Sequence, residues 1–524
     1  MKKSILLIAF FLPFIGFAQM PSHFENESYR PYDRYVYSVD SFHTSIRPFL
    51  MNQVNPIVKI DTLFTITTKY KALNHLLNKN LFKIQKNDVW FTLDPYINFE
   101  SAKSSGYTQR SYINTRGFIL NGAVSKTFAF TSTFRENQAL FNDYREDIVK
   151  SIGEIPGQGI PKRFKVEGHD WGFVTAIASY SPSKHFNFQL GTDKNFFGDG
   201  YRSLLLSENS AAYPFFKITT DFWKIKYVNL WAQFTDYHQV LRDNDNIGYR
   251  KKWAAMQYLS WNTTKWLNIS VFESVMWANS DSSAYRGFDF SYANPVAFLR
   301  PIEFSNGSPD NVMMGATGKI TFMKKYIFYG QAMIDEFNLH ELVANTGYWS
   351  NKYGYQLGAK TFDLLGFKHL DIQGEYNRVR PFTYSHWSTL QAYGNYNQPL
   401  ADPFGANFEE LVGIAHYNWQ RVFLNFKLIY ARTGNSTSNY NAGENVFANY
   451  TVNRVDYGNY VRQGTPNTLR QTDISVSYMI NPLYNLNISA GVTNRNQIVG
   501  PVTKQSTLIY FALRTSLDNM FFDY

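Results

Sequence analysis

The densest group of side chains able to bind a ligand follows the fifth patterned segment of the chain. It reads Gly191-Thr192-Asp193-Lys194-Asn195-Phe196-Phe197-Gly198-Asp199-Gly200-Tyr201-Arg202-Ser203-Leu204-Leu205-Leu206-Ser207-Glu208-Asn209. Gly198 and Gly200 permit tight or left-handed turns. Tyr201 offers an aromatic face, and Arg202, Ser203, Ser207 and Asn209 offer hydrogen-bonding groups. The Leu204 to Leu206 triplet would tuck such a loop inward. The chemistry is recognition or constriction of a polar site; the structural alternative is a loop that folds into the interior and fills it. A second dense stretch runs from Tyr292 through Asn294-Pro295 and Arg300-Pro301-Ile302-Glu303 to Gly307-Ser308-Pro309-Asp310-Asn311. There Arg300 with Glu303 or Asp310 could form a buried ion pair that locks the loop, or contact a ligand.

Catalysis finds no comparable group. The 10 histidines are scattered without the i, i+4 spacing of a metalloprotease helix, and His169-Asp170 at the base of a long loop reads as a polar loop residue. Walker loops and Gly-x-Ser-x-Gly elbows are absent. With 0 Cys there is no disulfide scaffold, zinc ribbon, iron–sulfur cluster or cysteine nucleophile. The expectation is a protein that is not an enzyme and uses no cofactor or metal.

What must position these loops is visible in composition. The 524 residues are 18% aromatic and 18% charged, too aromatic for a disordered chain and charge-poor for a cytosolic enzyme. The net charge of +10 is spread thinly, with no Lys/Arg block dense enough to follow a phosphate backbone, so nucleic acid is not an expected partner.

Lys2-Lys3, an apolar core from Ile5 to Phe17, and Gly16-Phe17-Ala18 read as a signal peptide cleaved before Gln19. No Cys follows the cut to carry a lipid anchor. Beyond Ala18 the longest unbroken hydrophobic run is Leu508 to Leu513, far short of the roughly 20 residues of a spanning helix. A secreted soluble β protein and an outer-membrane barrel remain.

Period-two alternation is the main structural signal. His369, Asp371, Gln373, Glu375 and Asn377 share one face opposite Leu370, Ile372, Gly374 and Tyr376. Tyr484, Leu486, Ile488, Ala490 and Val492 oppose Asn485, Asn487, Ser489, Gly491 and Thr493. Phe186, Phe188 and Leu190, and Val422 through Tyr430, make similar apolar faces. About 18 such segments follow, starting near Val89, Arg110, Thr127, Gly168, His185, Tyr213, Ile225, Arg250 and Trp266. The rest start near Met313, Tyr326, Lys352, Lys368, Asn407, Arg421, Leu469, Tyr484 and Gln505.

Short links, such as Ser125-Lys126, Lys224 and Trp419-Gln420, alternate with long ones at 137–167, 194–212, 237–249, 279–312, 338–351, 380–406 and 432–468. That alternation, with tilted strands of about 9–11 residues, predicts an all-β, 18-stranded antiparallel transmembrane β-barrel with tight periplasmic turns and long outer loops. Trp253, Trp261, Trp266 and Trp277 fall near strand ends, where aromatic girdles belong. A large secreted sandwich explains the alternation but not the loop pattern. The expected organisation is signal peptide 1–18, a partly helical periplasmic segment 19–88, and barrel 89–524. In the middle segment, Ala72, Leu73, Leu76, Leu77 and Leu81 recur near helical spacing. It either packs against the barrel mouth as a plug or is an exposed linker.

The Gly-Asp-Gly-Tyr-Arg-Ser-Leu-Leu-Leu-Ser run, the later Arg-Pro-x-Glu and Gly-Ser-x-Asp-Asn, and His43-Thr44-Ser45-Ile46-Arg47-Pro48 together resemble the Wzi-like family of capsule-assembly outer-membrane barrels. Within it the chain is most similar to the RemB-like branch of gliding Bacteroidetes. The resemblance implies an 18-stranded barrel with periplasmic helical elements in the Gram-negative outer membrane. In one branch it implies a lectin for capsular polysaccharide, and in the other a part in gliding motility.

Loop composition fits sugars as well: 435–464 is rich in Asn, Gly and Ser and carries Tyr440, Tyr450, Tyr457 and Tyr460. Three functions stay open. The first is a glycan-binding barrel in polysaccharide attachment or gliding. The second is a diffusion porin whose inward faces, with Lys360, Asp371, Glu375 and Lys427, line a wet pore. The third is an accessory subunit of secretion or gliding machinery. The expected partners are outer-membrane lipid, surface polysaccharide and such machinery.

Overall fold

A computed structural model of the chain describes residues 26–58, 63–243, 246–280, 285–296, 298–515 and 520–524. The expected signal peptide and its cleavage point lie outside the described residues. The first nine barrel strands are β1 (Val89–Ser104), β2 (Ser111–Val124), β3 (Phe128–Leu140), β4 (Gly168–Tyr180), β5 (Phe186–Asp193), β6 (Tyr213–Phe222), β7 (Ile225–Asp243), β8 (Asn246–Asn262) and β9 (Leu267–Ala278). The other nine are β10 (Asn311–Phe322), β11 (Tyr326–Ile334), β12 (Tyr353–Thr361), β13 (Leu370–Val379), β14 (Phe408–Trp419), β15 (Val422–Asn435), β16 (Thr465–Asn481), β17 (Leu486–Val499) and β18 (Val502–Arg514).

Each strand pairs antiparallel with its neighbour, and β18 closes on β1 from Leu508↔Ser104 to Arg514↔Asn98. Closure leaves no unpaired edge, the condition for strands in lipid. The chain is therefore an 18-stranded antiparallel transmembrane β-barrel. Leu424, Phe426 and Leu428 on β15, and Ile488 and Val492 on β17, are exposed on the outside, while Asn487, Ser489 and Thr493 are buried inside. The alternation thus sets the two faces as anticipated.

Three expectations need correction. The anticipated loop at 237–249 is mostly strand, because β7 and β8 stay paired as far as Asp243↔Asn246, past an irregularity between Asp236 and Val240. Short and long links do not alternate strictly at the ends of the barrel, since β1–β2 and β17–β18 are joined by brief turns at the end that otherwise carries long loops. Trp261 and Trp266 are exposed near the turn end of the wall, but Trp277, at 0% exposure, is covered by protein, with Trp253 packed against the same cluster.

The inward faces are not uniformly polar. Val228, Leu230, Ala232 and Phe234 of β7 and Ala254, Met256 and Tyr258 of β8 join Leu204, Leu205 and Leu206 in a continuous apolar core inside the barrel. Each Val, Leu, Phe or Met side chain buried there contributes about 1.5–3 kcal/mol. On the outward side of these strands Trp231, Trp253 and Ala255 are covered as well, with the buried amides of Asn229 and Gln257 among them.

The segment before β1 includes α1 (Asn26–Val36) and α2 (Lys71–Asn78). At the turn end, the Arg34 guanidinium meets Asp363 at 2.9 Å and Asp371 at 2.7 Å. Val36, Tyr37 and Phe49 pack with Phe196, Ile327 and Phe362. Beyond α1 the chain enters the lumen, where Ile46–Arg47 pairs antiparallel with Phe196–Phe197. Residues 63–80 clip onto the turns instead: Arg421 donates to Phe64 O at 2.6 Å and Leu77 O at 3.0 Å. Phe82–Lys86 extends β1 as a hairpin.

Candidate functional site

Loop 194–212 leaves β5 and turns into the barrel. The Gly198 N–H donates to Ser45 O at 2.8 Å, so two stretches far apart in sequence form one plug. Gly198 has φ +146°, and a Cβ there would sit 2.2 Å from Gln331 Nε2. At Gly200 a Cβ would fall 2.5 Å from both Arg202 O and Glu375 Oε2. Without a side chain the backbone reaches Glu375 of β13, whose carboxylate accepts the N–H groups of Tyr201 at 2.8 Å and Arg202 at 3.1 Å.

The Arg202 side chain, 2% exposed, donates to Glu410 Oε1 at 3.1 and 3.2 Å and to Asp523 Oδ1 at 3.3 Å. Tyr201 Oη donates to Asp523 Oδ2 at 2.5 Å, and Lys427 Nζ lies 2.8 Å from the same oxygen. Burial alone would push the Asp523 carboxyl up, but the Arg202 guanidinium and the Lys427 ammonium reverse this and hold it well below the usual carboxylate range. The residues Met520–Tyr524 are thereby held inside the barrel.

Ser203 Oγ donates to Phe197 O at 2.6 Å. Ser207 donates through its N–H to Leu400 O at 2.7 Å and through its hydroxyl to Ala401 O. Asn209 Nδ2 donates to Pro399 O at 3.1 Å. Loop 380–407 therefore folds inward beside loop 194–212, and Tyr384 and Tyr393 donate to Leu204 O and Leu205 O at 2.8 and 2.7 Å.

The structure thus brings Gly198, Gly200, Tyr201, Arg202, Ser203, Ser207 and Asn209 together inside the lumen. It does not bring Arg300, Glu303 or Asp310 to them. Those residues lie with loop 279–310, which packs on the outward-facing Ala255, Val275 and Trp277. The pair that locks this loop is Arg286–Asp310, at 2.7 Å, half-buried with the Asp310 carboxylate fully covered, rather than Arg300–Asp310; Arg300, half exposed, pairs with the buried Glu303 at 3.0 Å. Asn311 starts β10 at the rim and donates to Gln391 O at 2.8 Å.

Above the plug, at the loop end, is an open cleft of about 780 Å³. Tyr107, Tyr144, Phe404 and Tyr524 give it aromatic surfaces; Asn435, Asn467, Gln497 and Gln505 give amides; Asp147, Glu444, Arg495 and Lys504 give both signs of charge. α3 (Tyr144–Ile152) forms one bank, held by its N-cap Asp143, which accepts from Arg145 N, and by Gly153 in the left-handed region at its end. The Arg145 guanidinium reaches Glu100 of β1 at 2.8 Å. Arg495 of β17 sits 4.9 Å from the Tyr144 ring and donates to Tyr524 O at 2.8 Å.

Behind α3, Glu154 is buried and accepts from Asn397 N and Gln398 Nε2, both at 2.5 Å, tying loop 141–167 to loop 380–407. Burial pushes its carboxyl up to about 7.

Sequence reasoning missed this cleft because its lining comes from separate strand ends, loops and the C-terminal residues. Of the tyrosines singled out in 435–464, none lines it. Tyr450 packs on Trp349 at 4.8 Å, Tyr457 packs on Tyr348 at 5.4 Å, and Tyr460 is exposed. Strand parity was the available signal, since Thr433, Asn435, Asn467 and Gln497 fall on inward-facing positions. Among the described residues, no three His, Asp or Glu side chains converge as metal ligands do.

No family model and no curated protein sequence matches the chain. Solved structures do. Wzi of Escherichia coli, described as an outer-membrane protein involved in group 1 capsule assembly and a carbohydrate-binding β-barrel, superposes with a TM-score of 0.54 at 12% identity, over 95% of this chain and 100% of its own. OprD of Pseudomonas aeruginosa gives a TM-score of 0.43 at 10% identity, over 81% of this chain and 92% of its own. OccAB2 of Acinetobacter baumannii gives 0.43 at 11%, over 81% and 97%. What the chain shares with Wzi is the barrel fold along nearly its whole length.

Proposed function

We propose that the chain is a non-enzymatic barrel of the Gram-negative outer membrane, exported with a signal peptide, that holds surface polysaccharide in the cleft at its loop end. The short turns then face the periplasm and the long loops the outside, as in bacterial outer-membrane barrels. The observation that carries this reading is the cleft itself: four aromatic rings interleaved with amides and both signs of charge, above a lumen filled by protein. Aromatic faces suit the apolar faces of sugar rings, and amides both donate to and accept from hydroxyls. The fold shared with a carbohydrate-binding barrel supports it. Capsule attachment and gliding, as in the RemB-like branch, are the processes such binding serves.

A diffusion porin is the less favoured alternative. Loops 194–212 and 380–407, the stretch 43–48 and Met520–Tyr524 all occupy the lumen, so current through the barrel should be very small. Service as an accessory subunit of secretion or gliding machinery draws support from the turn end, where Leu73, Leu76, Phe82 and Ile84 are exposed.

The test is binding of the purified barrel to an array of capsular and other surface polysaccharides. The Tyr107→Ala/Phe404→Ala variant should lose binding while keeping the heat-modifiable gel mobility of a folded barrel. No binding to any surface glycan, together with normal capsule and spreading in a deletion strain, would overturn the reading.

A further inference from the structure

The outer wall carries a polar patch where lipid contacts belong. Cross-strand registers align Ile218, Asn229, Gln257, Glu273, Met314 and Ile334 in one outward row across β6 to β11. The row lies midway along β9. Its ends are apolar, and Met314 and Ile334 are exposed on the wall, but its centre holds two amides and a carboxylate. Such groups facing hydrocarbon without partners are costly.

Loop 279–310 descends over this patch. Glu273 accepts the N–H of Leu299 at 2.8 Å and of Arg300 at 2.6 Å, at the start of α4 (Leu299–Asn306). Trp231 Nε1 donates to Tyr292 O at 2.9 Å and Tyr227 Oη to Pro295 O at 2.9 Å, so the loop reaches well toward the turn end. Asp289 accepts from Ser291 N, and Asn294 from Val296 N, leaving these backbone donors satisfied within the loop. Its outward surface is dominated by large apolar side chains, Phe290 81% exposed, Val296 83%, Phe298 75% and Phe304 80%, with Arg300, Asn294, Ser305 and Asn306 exposed beside them. That surface continues the exposed wall formed by Val271 and Ile269 of β9 and Met314 of β10.

We propose that 286–296 and 298–306 form an intramembrane cover that replaces this part of the barrel wall, with Phe290, Val296, Phe298 and Phe304 in contact with lipid acyl chains. Glu273 anchors the cover through the N–H groups of Leu299 and Arg300, and the cover hides the patch from hydrocarbon. Loop 279–310 is then a lipid-facing element rather than part of the ligand cleft.

Because the chain has 0 Cys, single-cysteine variants read the environment directly. Phe298→Cys and Phe304→Cys, each carrying a bimane and reconstituted in phosphatidylcholine vesicles, are compared with Phe328→Cys on the bare wall and Tyr457→Cys in an outer loop. Acyl-brominated phosphatidylcholine should quench the two loop probes about as strongly as the Phe328→Cys probe, and aqueous iodide should quench them several-fold less than the Tyr457→Cys probe. Iodide quenching equal to that of Tyr457→Cys places the loop in water and overturns the proposal. Shielding from both quenchers, with a crosslinked dimer through the same cysteines, overturns it in favour of a second copy.

Discussion

Arg202 and Asp523 are 321 positions apart in sequence and meet inside the barrel, Nη1 3.3 Å from Oδ1. One belongs to the loop that turns in after β5, the other to the segment that turns in beyond β18. Glu410 of β14 completes the charge balance around the guanidinium, and Lys427 of β15 that around Asp523. The plug is thus pinned to the wall by ion pairs instead of by apolar packing alone.

Replacing Arg202 by Met should leave Glu410 and Asp523 buried with less compensation, a loss of about 3–5 kcal/mol. Planar-bilayer recordings should show higher and noisier conductance than the nearly silent parent, and the heat-modifiable gel shift should occur at lower temperature. Because the folded Asp523 carboxyl is held low, its contribution is present above the unfolded value of about 3.9 and fades as pH falls below it. Acid should therefore open the parent channel, and Asp523→Asn should blunt that response.

Gly200→Ala tests the close approach to Glu375. Its Cβ meets Arg202 O and Glu375 Oε2 at 2.5 Å, so the loop must retreat from the carboxylate, at a cost of about 1–3 kcal/mol. Hydrogen exchange at Tyr201 and Arg202 N–H should rise at least tenfold, while exchange in the outer strands stays unchanged.

Glu154 makes the contact between loops 141–167 and 380–407 depend on pH. Burial raises its carboxyl from 4.5 to about 7, so the unfolded or undocked form ionises first. Docking is therefore strongest below about pH 4.5 and weakens as pH rises toward 7, by up to about 3 kcal/mol. Limited proteolysis of loop 141–167 between pH 4 and 8 should speed up across that window. Glu154→Gln should abolish the pH dependence; an unchanged profile in the variant would place the titrating group elsewhere.

Tyr107 and Phe404 should each contribute to polysaccharide affinity. A stacking aromatic is worth about 0.5–1.5 kcal/mol, so each single alanine variant should bind roughly two- to tenfold more weakly by isothermal titration. The exposed Tyr460→Ala should bind like the parent.

Glu273→Leu removes the acceptor for Leu299 and Arg300 N–H while placing an acceptable side chain on the wall. Loss of these charge-assisted bonds costs about 1–3 kcal/mol of loop docking. Protease should then cut loop 279–310 faster in vesicles, with barrel closure and gel mobility retained.

Strand number, strand faces and most turns were legible in the sequence, because a side chain's parity along a strand decides whether it meets lipid or lumen and leaves a period-two record at each position. Asp371 to Asn377 shows this clearly, whereas His369 belongs to the exposed turn before the strand. The record blurs at β7 and β8, where Val228, Leu230 and Phe234 face a packed core while the amides of Asn229 and Gln257 stand on the outward side. It also misleads at Trp277 and Glu273, whose parity points outward but which loop 279–310 covers.

The inward fold of Gly198 to Asn209 could be suspected from its glycines and leucines, whereas its partners Ser45, Glu375, Glu410 and Asp523 could not be named. Local pattern sets which way each side chain points. Which distant loops share a space is settled only by barrel closure, because closing the sheet brings strand ends and loops together at one mouth regardless of their separation in sequence. The same closure decides that Arg202 lies in the lumen and Arg300 on the outer wall, although both belong to long loops at the same end of the barrel.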